Sequence, residues 1–478
     1  MGNSEEMLEI IQDSKAAIAA KIALARTVTL ISSRAGHGGT TLPGRVVRAV
    51  DPDISRRLAS RLPRGCMLVS ATNGKTTTSA MIARIMEEES ASLARNREGA
   101  NLAAGVATAL LNNTSLGGGP GAQFGLFEVD EAVFPDVARQ LNPKAVLLMN
   151  LFRDQLDRYG ELEHLAEIWR AAMARLGPST TTVINADDPL VAGMAKLRPE
   201  QSLCFGIEDA LAGGLVSQHA SDSKYCTVCG HPFDYEVFYM GHLGKYHCPN
   251  CGNRRPSPTV FAENVSLDGM RGSSFDLITP GSRVSVGIRL PGLYNVYNAL
   301  AAAAGCTAMG LAPAVIARGL AAFSAAFGRV ETLSIGGKSV CLLLVKNPAG
   351  FNEVVRTLLI EPGQKSLMVA LNDRIADGRD ISWIWDVDLE NLAGGVRGAV
   401  CSGTRAEEMA MRLKYAGVEP QRLDVKRDLR QAFQAALDQT NSDETLYVLP
   451  TYTAMLALRQ VIHQHFRPEG EMGDLVWK

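Results

Sequence analysis

The sequence predicts an α/β protein with two parallel-sheet domains, the first interrupted by a small four-cysteine insert and the second Rossmann-like. Three observations predict it. Apolar strand-like runs alternate with helix-like runs from Cys66 to Ile207 and again after Arg329, a βαβ rhythm that covers a parallel sheet with helices. The first strand runs directly into a Gly-Lys-Thr loop and a helix. Two Cys-x-x-Cys pairs sit together between the two series.

The 478 residues suggest roughly two to four domains. Hydrophobic residues at 46% and charged residues at 21% are enough to bury a core and exclude disorder as the main state. Residues 1–60 read as a helix from about Met7 to Arg26, then a turn at Ala35-Gly36-His37-Gly38-Gly39. Residues 61–328 form the first α/β domain. Its strands are Met67–Ser70, Gly125–Val129, Ala145–Met149 and Thr182–Asn185, and its helices are Thr77–Glu88, Ala103–Asn112 and Leu162–Leu176. The insert spans 224–256, a strand-rich return runs from Val260 to Arg289, and Leu300–Ala322 reads as helix. Residues 329–478 form the second domain, with strands at Val340–Val345, Ser366–Leu371, Ala399–Ser402 and Thr445–Leu449. Two uncharged stretches, 99–127 and 290–317, are broken by Gly, Pro and Asn, so neither is expected to span a membrane.

Met67-Leu68-Val69-Ser70 is followed by Ala71-Thr72-Asn73-Gly74-Lys75-Thr76-Thr77-Thr78. Strand, tight loop and helix N-terminus is the setting in which backbone N–H groups and the helix dipole hold a polyphosphate. Thr72, Asn73, Gly74 and Thr77 belong to that ATP-binding loop, Lys75 reaches the β- and γ-phosphates, and the Thr76 hydroxyl meets Mg²⁺. Val69 stands where the full P-loop spacing has its first glycine, so the setting carries the assignment more than the tripeptide does.

Cys226-Thr-Val-Cys229 and Cys248-Pro-Asn-Cys251 are separated by 18 residues, the spacing of a four-thiolate zinc site. Four thiolates close a tetrahedron and leave no open position, so the zinc is structural. His231, His242 and His247 are then bystanders. Cys66, Cys204, Cys306, Cys341 and Cys401 lie in or beside apolar runs and read as core residues. Met1 is followed by Glu5, Glu6 and Glu9, the wrong sign for a secretory leader, which implies a reducing compartment.

Several segments, in order, resemble the Mur ligase family, the ATP-dependent enzymes that build the peptide of bacterial cell wall. They are Thr72–Thr77, Asn96 with Gly99-Ala100-Asn101, Glu128-Val129-Asp130-Glu131, Asn150–Gly160, Asn185-Ala186-Asp187-Asp188-Pro189, Gly292–Asn298 and Gly328-Arg329-Val330-Glu331. The resemblance implies a Mur-ligase-like central domain in which Glu128 binds Mg²⁺ and Asn295, Asn298 and Arg329 hold ATP. A carboxylate at a strand's C-terminal end beside the phosphate loop suits that metal role independently. Two departures stand out: Gln155 replaces the family's metal-binding histidine, and Leu344-Val345-Lys346-Asn347-Pro348 replaces its D-x-A-H-N-P.

The cysteine insert, together with Leu371–Asp386, resembles one branch of that family, the MurT subunits of lipid II isoglutaminyl synthase. Four Asp and two Trp fall within those 16 residues. The resemblance implies that an aspartate here completes a Cys-His-Asp triad whose other members belong to a GatD-like glutaminase in a heterodimer. Asp377 is the first choice, with Asp373 and Asp380 as alternatives. This chain offers no Gly-x-Cys-x-Gly elbow of its own. The implied reaction is ATP-dependent amidation of the D-glutamate α-carboxyl of the lipid II stem peptide through an acyl phosphate. It would occur in the cytoplasm, at the inner face of the membrane, with peripheral contact only. A self-sufficient ligase adding an amino acid is the alternative. With 48 Lys and Arg against 50 Asp and Glu, the net charge of -2 gives no footprint for nucleic acid.

Overall fold

The computed structural model describes residues 15–34, 39–96, 99–154, 162–219, 221–324 and 330–466. In the first half the strands are β1 (Cys66–Ser70), β2 (Leu93–Arg95), β3 (Phe124–Glu128), β4 (Ala145–Leu148), β5 (Thr181–Asn185), β6 (Ser202–Ile207), β7 (Asp234–Met240), β8 (Leu243–His247), β9 (Val260–Leu267), β10 (Ser273–Thr279) and β11 (Ser282–Ile288). All but β7 and β8 join one nine-stranded sheet in the order β11-β10-β9-β6-β5-β4-β1-β3-β2. The strands from β2 to β9 pair in parallel, and β10 and β11 extend the sheet antiparallel.

The central strands are continuous apolar runs because both their faces are covered. Met67, Leu68 and Val69 are fully buried, as are Val146 and Leu147 beside them. After β1 the chain runs outward to β2, returns to β3 and then crosses to the other side of β1. Such a reversal opens a crevice at the strand C-termini, where open α/β sheets bind ligands.

Three helices depart from the sequence-based expectation. The first described helix is Lys15–Arg34, not Met7–Arg26. Apolar spacing continues through Val28, Leu30 and Ile31, while residues before Lys15 and the turn at 35–38 lie outside the described residues. Leu300–Ala322 is not one helix but parts of two, Leu293–Ala308 and Pro313–Ala321. The break falls at Gly310, whose φ of +81° no helix accepts, just before Pro313. The third helix spans Leu162–Met173, shorter than expected at its end.

β7 and β8 pair as an antiparallel hairpin inside the cysteine insert. Arg255 ties the foot of the insert to the main sheet. Its guanidinium donates to Asp187 (2.5 Å), Glu208 (2.6 Å) and the Ile207 carbonyl (3.0 Å), and the Tyr297 hydroxyl donates to Asp187 (2.7 Å). Burial pushes the Asp187 carboxyl up, opposed by the Arg255 charge.

The second half contains β12 (Val330–Ile335), β13 (Lys338–Leu343), β14 (Lys365–Ala370), β15 (Val396–Ser402), β16 (Leu423–Val425) and β17 (Thr445–Pro450), ordered β12-β13-β17-β14-β15-β16. β12 is an antiparallel edge and the rest are parallel. Helices cover both faces, giving two apolar layers around β14 and β17.

Candidate active site

β1 delivers Ala71–Gly74 to the start of the helix Lys75–Glu88. Gly74 has φ +90°, and a Cβ there would meet Asn298 Oδ1 at 2.0 Å, so conformation and space both require glycine. Asn150 splints the loop: its Oδ1 accepts from the Asn73 N–H (2.9 Å) and its Nδ2 donates to the Asn73 carbonyl (3.0 Å). The Thr72 hydroxyl accepts the Phe152 N–H (3.1 Å). Thr72 and Thr77 are buried.

Lys75 Nζ donates to Glu131 Oε2 at 2.7 Å and to the Ala71 carbonyl. Burial pushes Glu131 up, but the Lys75 charge and hydrogen bond outweigh it and hold the carboxyl below its usual range. The Thr76 hydroxyl donates to Glu128 Oε2 at 2.8 Å. Glu128 is held through its backbone. Its N–H donates to Asn96 Oδ1 (2.9 Å) and its carbonyl accepts from Asn96 Nδ2 (2.8 Å). Thr76 and Glu128 thus bring two hard oxygens together at the phosphate loop. Octahedral Mg²⁺ with bonds of about 2.1 Å needs neighbouring oxygens about 3.0 Å apart, so the pair fits that ion.

Asn295 and Asn298 lie behind the loop and are buried. Asn298 Nδ2 donates to Asn295 Oδ1 (3.0 Å), and Asn295 Nδ2 donates to the Pro291 carbonyl (2.8 Å). These amides brace Gly74 from below. Arg329 and Gln155 lie outside the described residues.

The second half reaches this loop through two adjacent residues. Lys346 Nζ donates to the Thr72 carbonyl (2.9 Å) and to Asp154 (2.7 Å). The Asn347 amide pairs with that of Asn73 (2.9 Å) while its Oδ1 caps the helix Pro348–Ile360 through the Gly350 N–H (2.9 Å). Sequence reasoning assigned no role to Glu131, Asp154, Lys346 or Asn347. The signal available was the Lys-Asn-Pro that stands where relatives have His-Asn-Pro.

The three candidate aspartates follow β14 and differ in kind. Asp377 is buried, and its two oxygens accept the Thr453 N–H (2.7 Å) and the Thr453 hydroxyl (2.5 Å). Burial pushes its carboxyl above the ordinary carboxylate range, against those hydrogen bonds. Asp373 pairs with Arg405 (2.7 Å) and Thr404 (2.8 Å). Asp380 is exposed and takes the Ser382 N–H (2.8 Å) and hydroxyl (2.9 Å). Asp377, Asp380, Trp383 and Asp386 share one small open cleft with Arg153, Asp154, Lys346 and Asn347.

The four insert cysteines converge, with all their sulfurs within 4.8 Å of one another. Cys226 and Cys251 Sγ are 3.6 Å apart and Cys229 and Cys248 Sγ 3.5 Å apart. A tetrahedron of Zn–S bonds of about 2.3 Å has edges of about 3.8 Å, so the cluster fits zinc. Gly230 and Gly252, at φ +72° and +73°, turn the chain after each pair. Hydrogen bonds from the Asn250 side chain and the His231 N–H bring the Cys229 thiol down to about 6. Of the three insert histidines, His242 is fully buried, its ring centroid 4.7 Å from that of Phe152 and its Nε2 3.5 Å from Asp188. It is no part of the four-cysteine cluster. The other five cysteines are buried. Burial pushes Cys204 up to about 11 and Cys66, Cys341 and Cys401 up to about 12.

Residues 69–252 match the Mur ligase middle domain, and residues 344–455 match the MurT ligase C-terminal domain. The chain is 32% identical over 451 residues to the lipid II isoglutaminyl synthase (glutamine-hydrolyzing) subunit MurT of Staphylococcus aureus (strain COL), covering 93% of this chain and 98% of that protein. It is 32% identical over 452 residues to the same-named subunit of Streptococcus pneumoniae (strain ATCC BAA-255 / R6), covering 92% and 97%. Among solved structures, a pseudomurein peptide ligase type C from Methanothermus fervidus superposes with TM-score 0.66 at 22% identity, over 85% of this chain and 80% of that one. MurF from Acinetobacter baumannii superposes with TM-score 0.63 at 18% identity, over 88% and 80%. The phosphate loop, the cysteine cluster and the aspartate loop of this α/β fold thus coincide with a whole-length likeness, and the chain belongs to the MurT family of the Mur ligases.

Proposed function

We propose that this chain is the synthetase subunit of an amidotransferase acting on lipid II. Its substrate is the α-carboxyl of D-glutamate in the stem peptide, and its product is D-isoglutamine. The observation that carries the reading is the likeness over 98% of a MurT subunit, whose name specifies both lipid II and glutamine hydrolysis.

A carboxylate is a poor acyl donor because oxide would have to leave. In the proposed reaction a carboxylate oxygen attacks the γ-phosphorus of ATP, the bond to ADP breaks, and an acyl phosphate results. Ammonia then attacks the acyl carbon and phosphate leaves with the C–O electron pair. Lys75 lies where it can release Glu131 and follow the transferring phosphoryl, which is stabilised by position and charge. Thr76 and Glu128 would hold Mg²⁺, which neutralises phosphate charge when bound. The insert cysteines would hold zinc as a structural ion.

The nitrogen source supports a partner. The five cysteines outside the cluster are buried, and buried thiols make poor nucleophiles. A glutaminase partner would supply Cys and His, and Asp377, held by Thr453, is the aspartate best suited to orient that His. The shared cleft supports ammonia passing from the Asp377 loop toward Lys346 and the phosphate loop. A lipid-borne substrate places the work at the inner membrane face. Among the described residues no helix is long and apolar enough to cross a membrane.

The test is incubation with lipid II, ATP, magnesium and either ammonium or glutamine plus the partner. Muropeptide mass spectrometry should find an amide in place of the acid, with phosphate released. Addition of an amino acid instead would identify the self-sufficient ligase and reject the proposal. Elemental analysis of the purified chain should return zinc.

A further inference from the structure

We propose that the outer face of the helix Lys15–Arg34 docks on an anionic lipid bilayer. The exposed positions Ala20, Ala23, Leu24, Thr27, Leu30 and Ile31 recur at spacings of three and four and form one helix face. Ile31 is 62% exposed and Leu30 51%. The opposite face, Ile18, Ile22 and Ala25, is buried against Val47, Leu58 and Leu110. This helix is therefore largely apolar on its solvent side as well as its core side, with Arg26 and Arg34 as its exposed charges. A helix facing water ordinarily carries charge there, as Ala406–Tyr415 does with exposed Glu407 and Lys414. The next helix, Leu42–Val50, repeats the pattern, exposing Leu42, Arg45, Ala49 and Val50.

The charge on this layer selects the occupant. Lys15, Lys21, Arg26 and Arg34 are the charged residues of the first helix, and all are basic. Residues 15–64 hold ten Lys and Arg against Asp51 and Asp53, and residues 1–64 hold ten against six once Glu5, Glu6, Glu9 and Asp13 are included. The whole chain carries only -2, so positive charge is concentrated here. Two copies meeting through this face would bring like charges together. An anionic bilayer instead accepts aliphatic side chains at the headgroup boundary while basic side chains reach the phosphates. The inference deepens the proposed function, because a lipid-borne substrate requires a surface that approaches the membrane.

Flotation of the full-length chain with its partner tests it, using vesicles containing phosphatidylglycerol and vesicles of phosphatidylcholine alone. The chain should float with the anionic vesicles and be released as salt rises from about 0.1 M to about 1 M, where screening shortens from about 10 Å to about 3 Å. Leu24→Glu with Ile31→Glu should cut recovery about tenfold with thermal melting unchanged. If that variant misfolds, Arg34→Glu with Arg45→Glu gives the same reading through charge. No flotation, equal recovery on neutral vesicles, unchanged recovery in both variants, or a dimer that Ile31→Glu dissociates would each overturn the proposal. Amidation of a water-soluble lipid II analogue, run in parallel, separates the two claims. Amidation without flotation removes the docking surface alone, and flotation without amidation removes the proposed reaction alone.

Discussion

The phosphate loop and the aspartate loop are built alike and finished differently. Each follows a buried parallel strand, β1 or β14, at the strand's C-terminal end. Each is splinted by one polar residue, buried Asn150 for one and half-buried Thr453 for the other. The phosphate loop holds Lys75 already paired with Glu131, and the Thr76 hydroxyl already bonded to Glu128. The aspartate loop presents Asp377, a buried carboxylate whose two oxygens rest on the N–H and hydroxyl of one threonine. Burial raises that carboxyl against its hydrogen bonds and the charge of Arg374. In the proposed complex an imidazolium of the partner would favour the ionised form of that carboxyl.

Asp377→Asn should separate the loops most sharply. Glutamine-dependent amidation by the complex should fall about 10⁴-fold, the scale set by removing a triad aspartate's charge, while ammonium-dependent amidation survives. Equal loss of both rates would mean that Asp377 serves the synthetase site and that the contrast is false. Lys75→Ala should do the converse. ATP-dependent phosphate release should fall about 10²–10³-fold, the range for removing one preorganised charge contact, while the partner's glutaminase activity in the complex persists. Both are read by coupled phosphate and glutamate assays.

Much of this arrangement was legible in the sequence, for a physical reason. A strand buried on both faces must be a continuous apolar run, so β1, β3, β4, β5, β14, β15 and β17 could be placed within a few residues. The phosphate loop and the cysteine cluster are local spacings, and local spacing survives in sequence. What escaped were relations between distant residues. Lys346 and Thr72 lie 274 positions apart, and no periodicity links them. The closeness of Asn298 to Gly74, 224 positions earlier, is another such relation. His242 lies outside the cysteine cluster, as expected, but its burial against Phe152 could not be read from spacing. The break at Gly310 was legible in principle, because Gly310 and Pro313 interrupt the alanine-rich run.

Lys346 asks whether the two loops are independent at all. It belongs to the second half, donates to the phosphate loop and lines the cleft that Asp377 also lines. Lys346→Met should lower kcat/KM for both ammonium- and glutamine-dependent amidation about tenfold, the equivalent of one charged hydrogen bond of about 1.4 kcal/mol. Nucleotide affinity, read by calorimetry, should change little. A selective loss of the glutamine-dependent rate would place Lys346 on the ammonia path and make the cleft, not the loops, the unit of function.

A change in stability, with no change in chemistry, sharpens the claim that the phosphate loop is pre-paired. Glu131 has its carboxyl held below the ordinary range by Lys75. A depressed carboxylate contributes stability that is present above its unfolded value of about 4.3 and lost as pH falls through its lower folded value. Glu131→Gln should therefore destabilise the nucleotide-free chain by about 1.5–3 kcal/mol at neutral pH, the range for a hydrogen bond between charged groups. The difference from the parent should shrink as acid protonates Glu131 in the parent chain. Saturating ATP should also narrow the gap, because Lys75 then has phosphate to face. Thermal melts from neutral pH downward, with and without nucleotide, check both. A gap that stays constant across pH would show that Glu131 acts by packing and that the loop's charge is not pre-paired.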